Sequence, residues 1–242
     1  MRADYAVRYR ELYERHWWWR AREAVILEVL RAQQPPEGWK RILDVGCGDG
    51  LFFGQLARFG EVEGIEPARE LVSDAGAYRS RIHIAPFDES FRPGKPFSLI
   101  LMLDVLEHIG DPVGALRHAL ALLEPEGRLF VTVPAFRLLW TNHDVVNHHF
   151  TRYNASSFRR VAQQAGLEIQ TARYFFQWLF PAKLAIRFME RLFPLQPKPP
   201  NIPARWINGL FYGLSRIEHK ALSRLPVPFG SSLLVVGRKA PL

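Results

Sequence analysis

The spacing of apolar residues changes period several times along the chain. Over residues 5–32, Leu12, Trp18, Val25, Leu30 and their neighbours recur at helical intervals with Arg and Glu between them, which predicts a helix that Pro35-Pro36-Glu37-Gly38 stops. Short apolar runs follow at 41–45 (RILDV), 61–65 (EVEGI), 81–85 (RIHIA), 97–103 (FSLILML) and 127–133 (GRLFVTV), separated by helical stretches at 50–59, 67–76 and 112–123. A further helix spans 154–166, with Asn154 as its cap and Gly166 as its stop, and strands at 168–176 and 232–239 complete the pattern. Nearly continuous apolar strands alternating with helices imply a parallel sheet covered on both faces. There is no internal repeat.

Residues 177–231 interrupt this alternation with eight prolines and two amphipathic segments. Lys183, Arg187 and Arg191 fall at i, i+4 and i+8, opposite Ala185, Phe188, Met189 and Leu192. Arg216, Lys220 and Arg224 repeat that spacing, with Trp206, Leu210, Leu214, Ile217, Ala221 and Leu225 as the apolar face.

Charge sharpens the division. Residues 1–172 carry 21 basic against 22 acidic side chains, a net of −1, whereas residues 173–242 carry 11 against 2, a net of +9, giving the overall +8. The positive excess is therefore confined to the last third, unlike a uniformly basic nucleic-acid binder, and points to an anionic partner for 177–231 such as a membrane surface. The competing arrangement has both helices pack their apolar faces onto the sheet or each other, leaving the cations solvated. Nucleic acid ranks lower because no RNA-binding motif accompanies the basic residues. One cysteine, no run long enough to span a bilayer and no apolar leader predict a reduced, cytoplasmic setting, to which 177–231 would add peripheral membrane association.

The strongest local signal is Ile42-Leu43-Asp44-Val45-Gly46-Cys47-Gly48-Asp49-Gly50, a buried strand entering a three-glycine turn before a helix. Glycines let the backbone take positive φ and approach a ligand, and the helix start offers free N–H donors. Glu66, 20 residues after Gly46 at the end of the next strand, can accept from both hydroxyls of a ribose, so a nucleoside-containing cofactor fits. The turn departs from the dinucleotide pattern G-x-G-x-x-G, with Leu51 in place of its third glycine.

This turn, Glu66, LDVLEHIGDP at 103–112 and GRLFVTVPA at 127–135 together resemble class I S-adenosylmethionine-dependent methyltransferases over residues 40–176 and the last strand. The resemblance implies a Rossmann-like doubly wound α/β fold with a seven-stranded sheet, its last strand antiparallel. It implies that Gly46, Cys47, Gly48 and Gly50 hold the methionine part of S-adenosyl-L-methionine while Asp44 orients its amino group. Glu66 would take the ribose, Asp88 would sit near the adenine and Leu103 would lend backbone to the pocket. The family often has Cys at position 47 as a small packing residue. Ser98, where an Asp commonly follows the Phe, and a third strand without Gly-Asp are departures from the pattern.

After the fifth strand, His143, His148 and His149 fall within seven residues. In this fold that loop overhangs the methyl group. Methyl transfer to a hydroxyl or amine needs an oriented acceptor and a proton acceptor, for which histidine is suited near neutrality. His143 beside Asp144 is the first candidate base, with His148 and His149 next. Arg152 and Tyr153 are candidates for an anionic or sugar-like group or for bracing the loop, and His108 and Trp18 for lining the acceptor pocket. The histidine spacing matches no zinc pattern, so no metal is assigned. Three consecutive tryptophans, Trp17 to Trp19, cannot all face one core; they suit either a lid or ordinary helix packing.

The resulting expectation is an amino-terminal helical segment (1–36), a cofactor-binding domain (37–176 and 232–242) and a basic helical insertion (177–231). The expected activity is methyl transfer to a small-molecule, glycan or lipid-linked acceptor, at oxygen. An NAD(P)-dependent oxidoreductase and a non-catalytic membrane-docking module that keeps the cofactor pocket are the alternatives.

Overall fold

The computed structural model describes residues 3–193 and 200–240, with side chains from residue 8 onward. Pro194, Pro197 and Pro199 of the insertion lie outside the described residues. The helices are α1 (Ala3–Arg15), α2 (Trp17–Gln33), α3 (Phe53–Leu56), α4 (Pro112–Leu122), α5 (Asn142–Val146), α6 (Ala155–Ala165), α7 (Leu179–Leu192) and α8 (Arg205–Leu222). The strands are β1 (Arg41–Val45), β2 (Glu61–Glu66), β3 (Ile82–Ile84), β4 (Phe97–Leu103), β5 (Leu123–Pro134), β6 (Leu167–Phe175) and β7 (Ser232–Lys239).

They form one seven-stranded sheet in the order β3-β2-β1-β4-β5-β7-β6, with β7 antiparallel to both its neighbours. This is the expected Rossmann-like doubly wound fold. The strand order reverses between the parallel neighbours β1 and β4, so their carboxyl ends open the crevice in which such sheets bind ligands. Core side chains fill both faces. One cluster joins α2 to the sheet through Val25, Ile26, Leu30, Phe53 and Phe130; the other places Leu116 of α4 and Phe158 of α6 on Phe97, Ile100 and Val131.

Three helix expectations need correction. The helix expected over 5–32 is two helices, because His16 is extended (φ −78°, ψ 133°) and its Nδ1 accepts the Trp18 N–H at 3.1 Å as the cap of α2. Within 67–76 there is only a 3-10 turn at Arg69–Leu71; Val72 is the one buried residue there, too little apolar surface to hold a helix. The helix expected over 50–59 shrinks to α3, since Gly50 still carries the turn's positive φ of 69°.

The break between α1 and α2 is stitched from a distance. Asn208 of α8 accepts the Trp17 N–H at 2.8 Å and donates to the Arg15 carbonyl at 2.8 Å. Trp17 itself is buried against Phe176, Trp178 and Phe211, which settles it as core, while Trp18 and Trp19 are half-buried.

The insertion helices pack opposite to the apolar-face-inward arrangement. On α7 it is the charged side that meets the protein: Arg187 donates to the carbonyls of Arg137 at 2.6 Å and of Leu138, and Glu190 accepts the Asn142 N–H at 3.0 Å. On α8 the inner face carries Asn208, Ser215 and His219, the last paired with Glu28 at 3.0 Å. Phe188, Met189, Leu192, Trp206, Leu210 and Ile217 are left exposed. No helix among the described residues is long and apolar enough to cross a membrane.

Non-glycine residues with positive φ gather at one edge. Asp104, Phe136 and Phe176 lie at or just beyond the carboxyl ends of β4, β5 and β6, with φ of 57–58°, and His148 lies in the loop after β5.

Replacing Asn208 with Ala leaves the buried Trp17 N–H without an acceptor, which costs about 1–3 kcal/mol. A thermal melt of Asn208→Ala should therefore show a lower Tm with little loss of helical ellipticity.

Candidate functional site

The glycine turn follows β1 directly. Gly46, Gly48 and Gly50 have φ of 70°, 54° and 69°, in the left-handed region that side chains disfavour. A Cβ on Gly46 would lie 2.7 Å from Val105 Cγ2, whereas the Cβ position of Gly48 has no protein atom within 4 Å and faces open space. Gly46 N–H donates to the Ile65 carbonyl at 2.8 Å, tying the turn to β2. Glu66 closes the loop, one oxygen accepting Gly48 N–H at 3.0 Å and the other Ala68 N–H at 2.9 Å. Burial raises the Glu66 pKa against these two donors.

Asp44 lies beneath the turn, buried, and makes no hydrogen bond among the described residues. Burial, with Glu66 adding to it and Arg22 opposing it, pushes its carboxyl up to about 7. A buried carboxyl without a partner beside an open glycine cradle fits the amino group and backbone of the methionine moiety that the resemblance implies. Cys47 is half-buried with its thiol pushed up by burial, then by Asp44 and Glu66, as expected of an inert packing residue. Leu103 ends β4 beside this cradle, paired with Thr132. Asp88 is exposed after β3 and takes the Ser90 N–H at 2.9 Å.

Arg22 of α2 reaches the same edge, a residue that the sequence pattern did not single out. Its Nε lies 2.7 Å from Asp104 Oδ2, its Nη2 donates to Thr132 Oγ1 at 3.2 Å, and its guanidinium lies over Trp18 at 5.7 Å from the ring centre. Thr132 in turn donates to Asp104 at 3.1 Å. The signal in the sequence for Arg22 was its place in the aromatic and basic run that begins at Trp17, which puts it in the second turn of α2.

The second half of the site is built on Asp144. It is fully buried and forms a capping box with Thr141, whose N–H it accepts at 2.9 Å. Arg152 grips it with two hydrogen bonds, Nε at 2.7 Å and Nη2 at 2.8 Å, and also donates to the Ala135 carbonyl at 3.2 Å. His149 Nδ1 lies 2.8 Å from Asp144 Oδ1, the oxygen that also accepts Arg152 Nε. The His149 and Arg152 hydrogen bonds hold the carboxyl well below its ordinary range despite burial. Asp144 therefore serves His149 and not its sequence neighbour His143, whose Nε2 lies 3.1 Å from Asn147 Nδ2. The surrounding protein and the Lys183 ammonium lower His143 to about 4. His148 is exposed. Arg152 and Tyr153 are turned inward, Tyr153 with its hydroxyl 3.5 Å from the Leu106 carbonyl, and so brace the loop.

The imidazoles of His108 and His149 meet edge to face with centres 4.7 Å apart, and Glu107 lies behind them. Among the described residues, Glu107, His108 and His149 are the set whose ligand atoms come close enough to hold a metal ion, within 4.8 Å of one another. Burial and Asp104 raise the Glu107 carboxyl well above the carboxylate range, which favours its neutral acid. Lys183 of α7 acts on the Asp144 side of the site, its pKa lowered to about 8 by burial and by Arg152.

Several known proteins share this arrangement of elements. The chain is 28% identical over 186 residues to a ubiquinone biosynthesis O-methyltransferase of Xanthomonas axonopodis pv. citri, covering 67% of this chain and 77% of that one. A methyltransferase solved with the Trm112 activator from Haloferax volcanii has the same fold, with a TM-score of 0.62 at 18% identity over 99% of this chain and 96% of that one. N-methyltransferase NodS from Bradyrhizobium japonicum WM9, solved with S-adenosylhomocysteine, gives 0.56 at 14% identity over 96% and 91%. A family model described as a methyltransferase domain matches residues 17–172. Since that match spans more than half of the 242 residues, the chain belongs to this methyltransferase domain family and is an S-adenosylmethionine-dependent enzyme, not a nicotinamide-dependent oxidoreductase.

Proposed function

We propose that the enzyme methylates a hydroxyl oxygen of a small-molecule acceptor, with His149 as the base. The observation that carries this reading is the 2.8 Å contact between His149 Nδ1 and Asp144. An ionised carboxylate only accepts, so Nδ1 carries the proton and Nε2 is left with a free lone pair. When bound, S-adenosylmethionine supplies an electrophilic methyl on a sulfonium. His149 Nε2 takes the acceptor's hydroxyl proton, and Asp144, kept ionised by Arg152, stabilises the imidazolium that results. Lys183, His108 and Trp18 line the acceptor side, Lys183 as a cation toward a developing oxyanion. Asp44 and Glu66 hold the cofactor's amino group and ribose. The O-methyltransferase among the relatives supports oxygen as the acceptor atom.

The test follows labelled methyl from S-adenosylmethionine into lipid and soluble fractions of a cell extract. Label on a hydroxyl-bearing small molecule supports the reading, and label only on nitrogen or carbon refutes it. With an acceptor in hand, His149→Gln should lower kcat by roughly 10²–10⁴-fold, while binding of S-adenosylhomocysteine is kept. His143→Gln should change kcat by less than about threefold, and the reverse order would return the base to His143.

Asp44 sets a pH dependence. A carboxyl with pKa about 7 in the free protein is protonated at pH 5.5 and cannot pair with a cationic amine. S-adenosylhomocysteine binding by calorimetry should therefore tighten on the order of tenfold between pH 5.5 and about 7.5. In Asp44→Asn the affinity should be lower and nearly flat over that range. The same raised value means that Asp44 costs the unliganded fold stability as pH rises from its unfolded value towards about 7. Asp44→Asn should accordingly melt higher than the parent at neutral pH, with the gain vanishing near pH 4.

A further inference from the structure

The outer faces of α7 and α8 are inverted relative to those of an ordinary packed helix. Ile186, Phe188, Met189 and Leu192 on α7, and Trp206, Leu210, Leu214 and Ile217 on α8, are exposed, with Phe188, Trp206 and Ile217 each more than 60% accessible. Helical spacing places each set on a single side. Arg187 and Glu190 of α7 and Asn208 and Ser215 of α8 turn inward and are engaged there, so the apolar faces are not a failed packing surface awaiting rotation.

The charges around these faces have one sign. Only two acidic residues follow residue 172, Glu190 and Glu218. Glu190 accepts the Asn142 N–H, and Glu218 accepts the backbone N–H groups of Gln177 at 2.9 Å and Trp178 at 2.5 Å. Both are thus drawn into the protein. Arg191, Arg205 and Arg224 are exposed and make no hydrogen bond or ion pair among the described residues, and Lys220 is exposed beside them. Large apolar side chains flanked by free cations, with neither carboxylate of α7 and α8 turned outward, match the boundary between acyl chains and anionic headgroups.

From this inverted polarity and one-signed rim we infer that α7 and α8 dock the enzyme on an anionic lipid bilayer, inserting Phe188, Met189, Trp206 and Ile217 to headgroup depth. The inference is independent of which atom is methylated. It gives the exposed cations Arg191, Arg205, Lys220 and Arg224 a physical task that the cofactor site does not use.

Flotation of the full chain with phosphatidylcholine vesicles, with and without roughly one third phosphatidylglycerol, tests it. Binding should require the anionic lipid and weaken by roughly tenfold or more in Arg191→Glu/Arg224→Glu and in Phe188→Ser/Met189→Ser. All four positions are exposed and remote from the glycine turn, so Tm and S-adenosylhomocysteine affinity should stay at parental values. Absence of flotation at low salt overturns the proposal. So does binding that the serine pair leaves unchanged, which would reduce it to adsorption by charge alone. A dimer seen by sedimentation velocity and dissociated by the serine pair, without vesicle binding, would assign these faces to a second copy of the chain and overturn it as well.

Discussion

A single guanidinium governs the charge balance at the carboxyl edge of the sheet. Asp44 and Glu107 are buried there, where a charged carboxyl is disfavoured, and Asp104 adds to the cost at Glu107. Arg22 pairs with Asp104 directly and, against the upward push of burial, favours the charged forms of Asp44 and Glu107 from a distance. Its position is not local. It depends on α2 starting where it does, which depends on the cap of His16 and on Asn208 reaching across from α8. The amino-terminal helix and the late insertion, far apart in sequence, thus jointly hold the cation that the cofactor pocket needs.

Much of this was legible along the chain. β1, β4 and β7 fall on the expected 41–45, 97–103 and 232–239, because strands buried on both faces are written as uninterrupted apolar runs. The glycine turn and Glu66 were equally plain, since glycine adopts that backbone without strain and only one acid ends β2. Other parts were not readable. β5 begins at Leu123, four residues before the expected start, because Leu123 pairs with Phe97 across a register shift that periodicity does not encode. The one-residue break at His16 leaves helical spacing almost undisturbed on either side.

The pairing inside the histidine segment was the harder problem. Adjacency in sequence favours His143 with Asp144, yet neighbouring side chains on a helix diverge, and α5 carries His143 away from the carboxylate. The chain returns through His148, in left-handed conformation, to bring His149 back onto Asp144. The partner is chosen by the turn. Arg152 showed the same ambiguity between ligand contact and bracing, and its two bonds to Asp144 decide for bracing. In the insertion, helical spacing separated the charged face from the apolar one correctly, but spacing alone carries no information about which face meets the protein.

The left-handed residues Asp104, Phe136 and Phe176 give the molecule a mechanical asymmetry. Each such conformation costs a non-glycine residue about 1–2 kcal/mol relative to its right-handed counterpart, and bulky aromatics gain no local hydrogen bond in return. The opposite edge of the sheet has no comparable burden among the described residues. The ends of β4, β5 and β6 therefore behave like a sprung rim, aimed by side chains packed behind it and relaxed by anything that lets the turns unwind. Heat or denaturant should find that rim first, so the capacity to bind would be lost while the sheet behind it still stands.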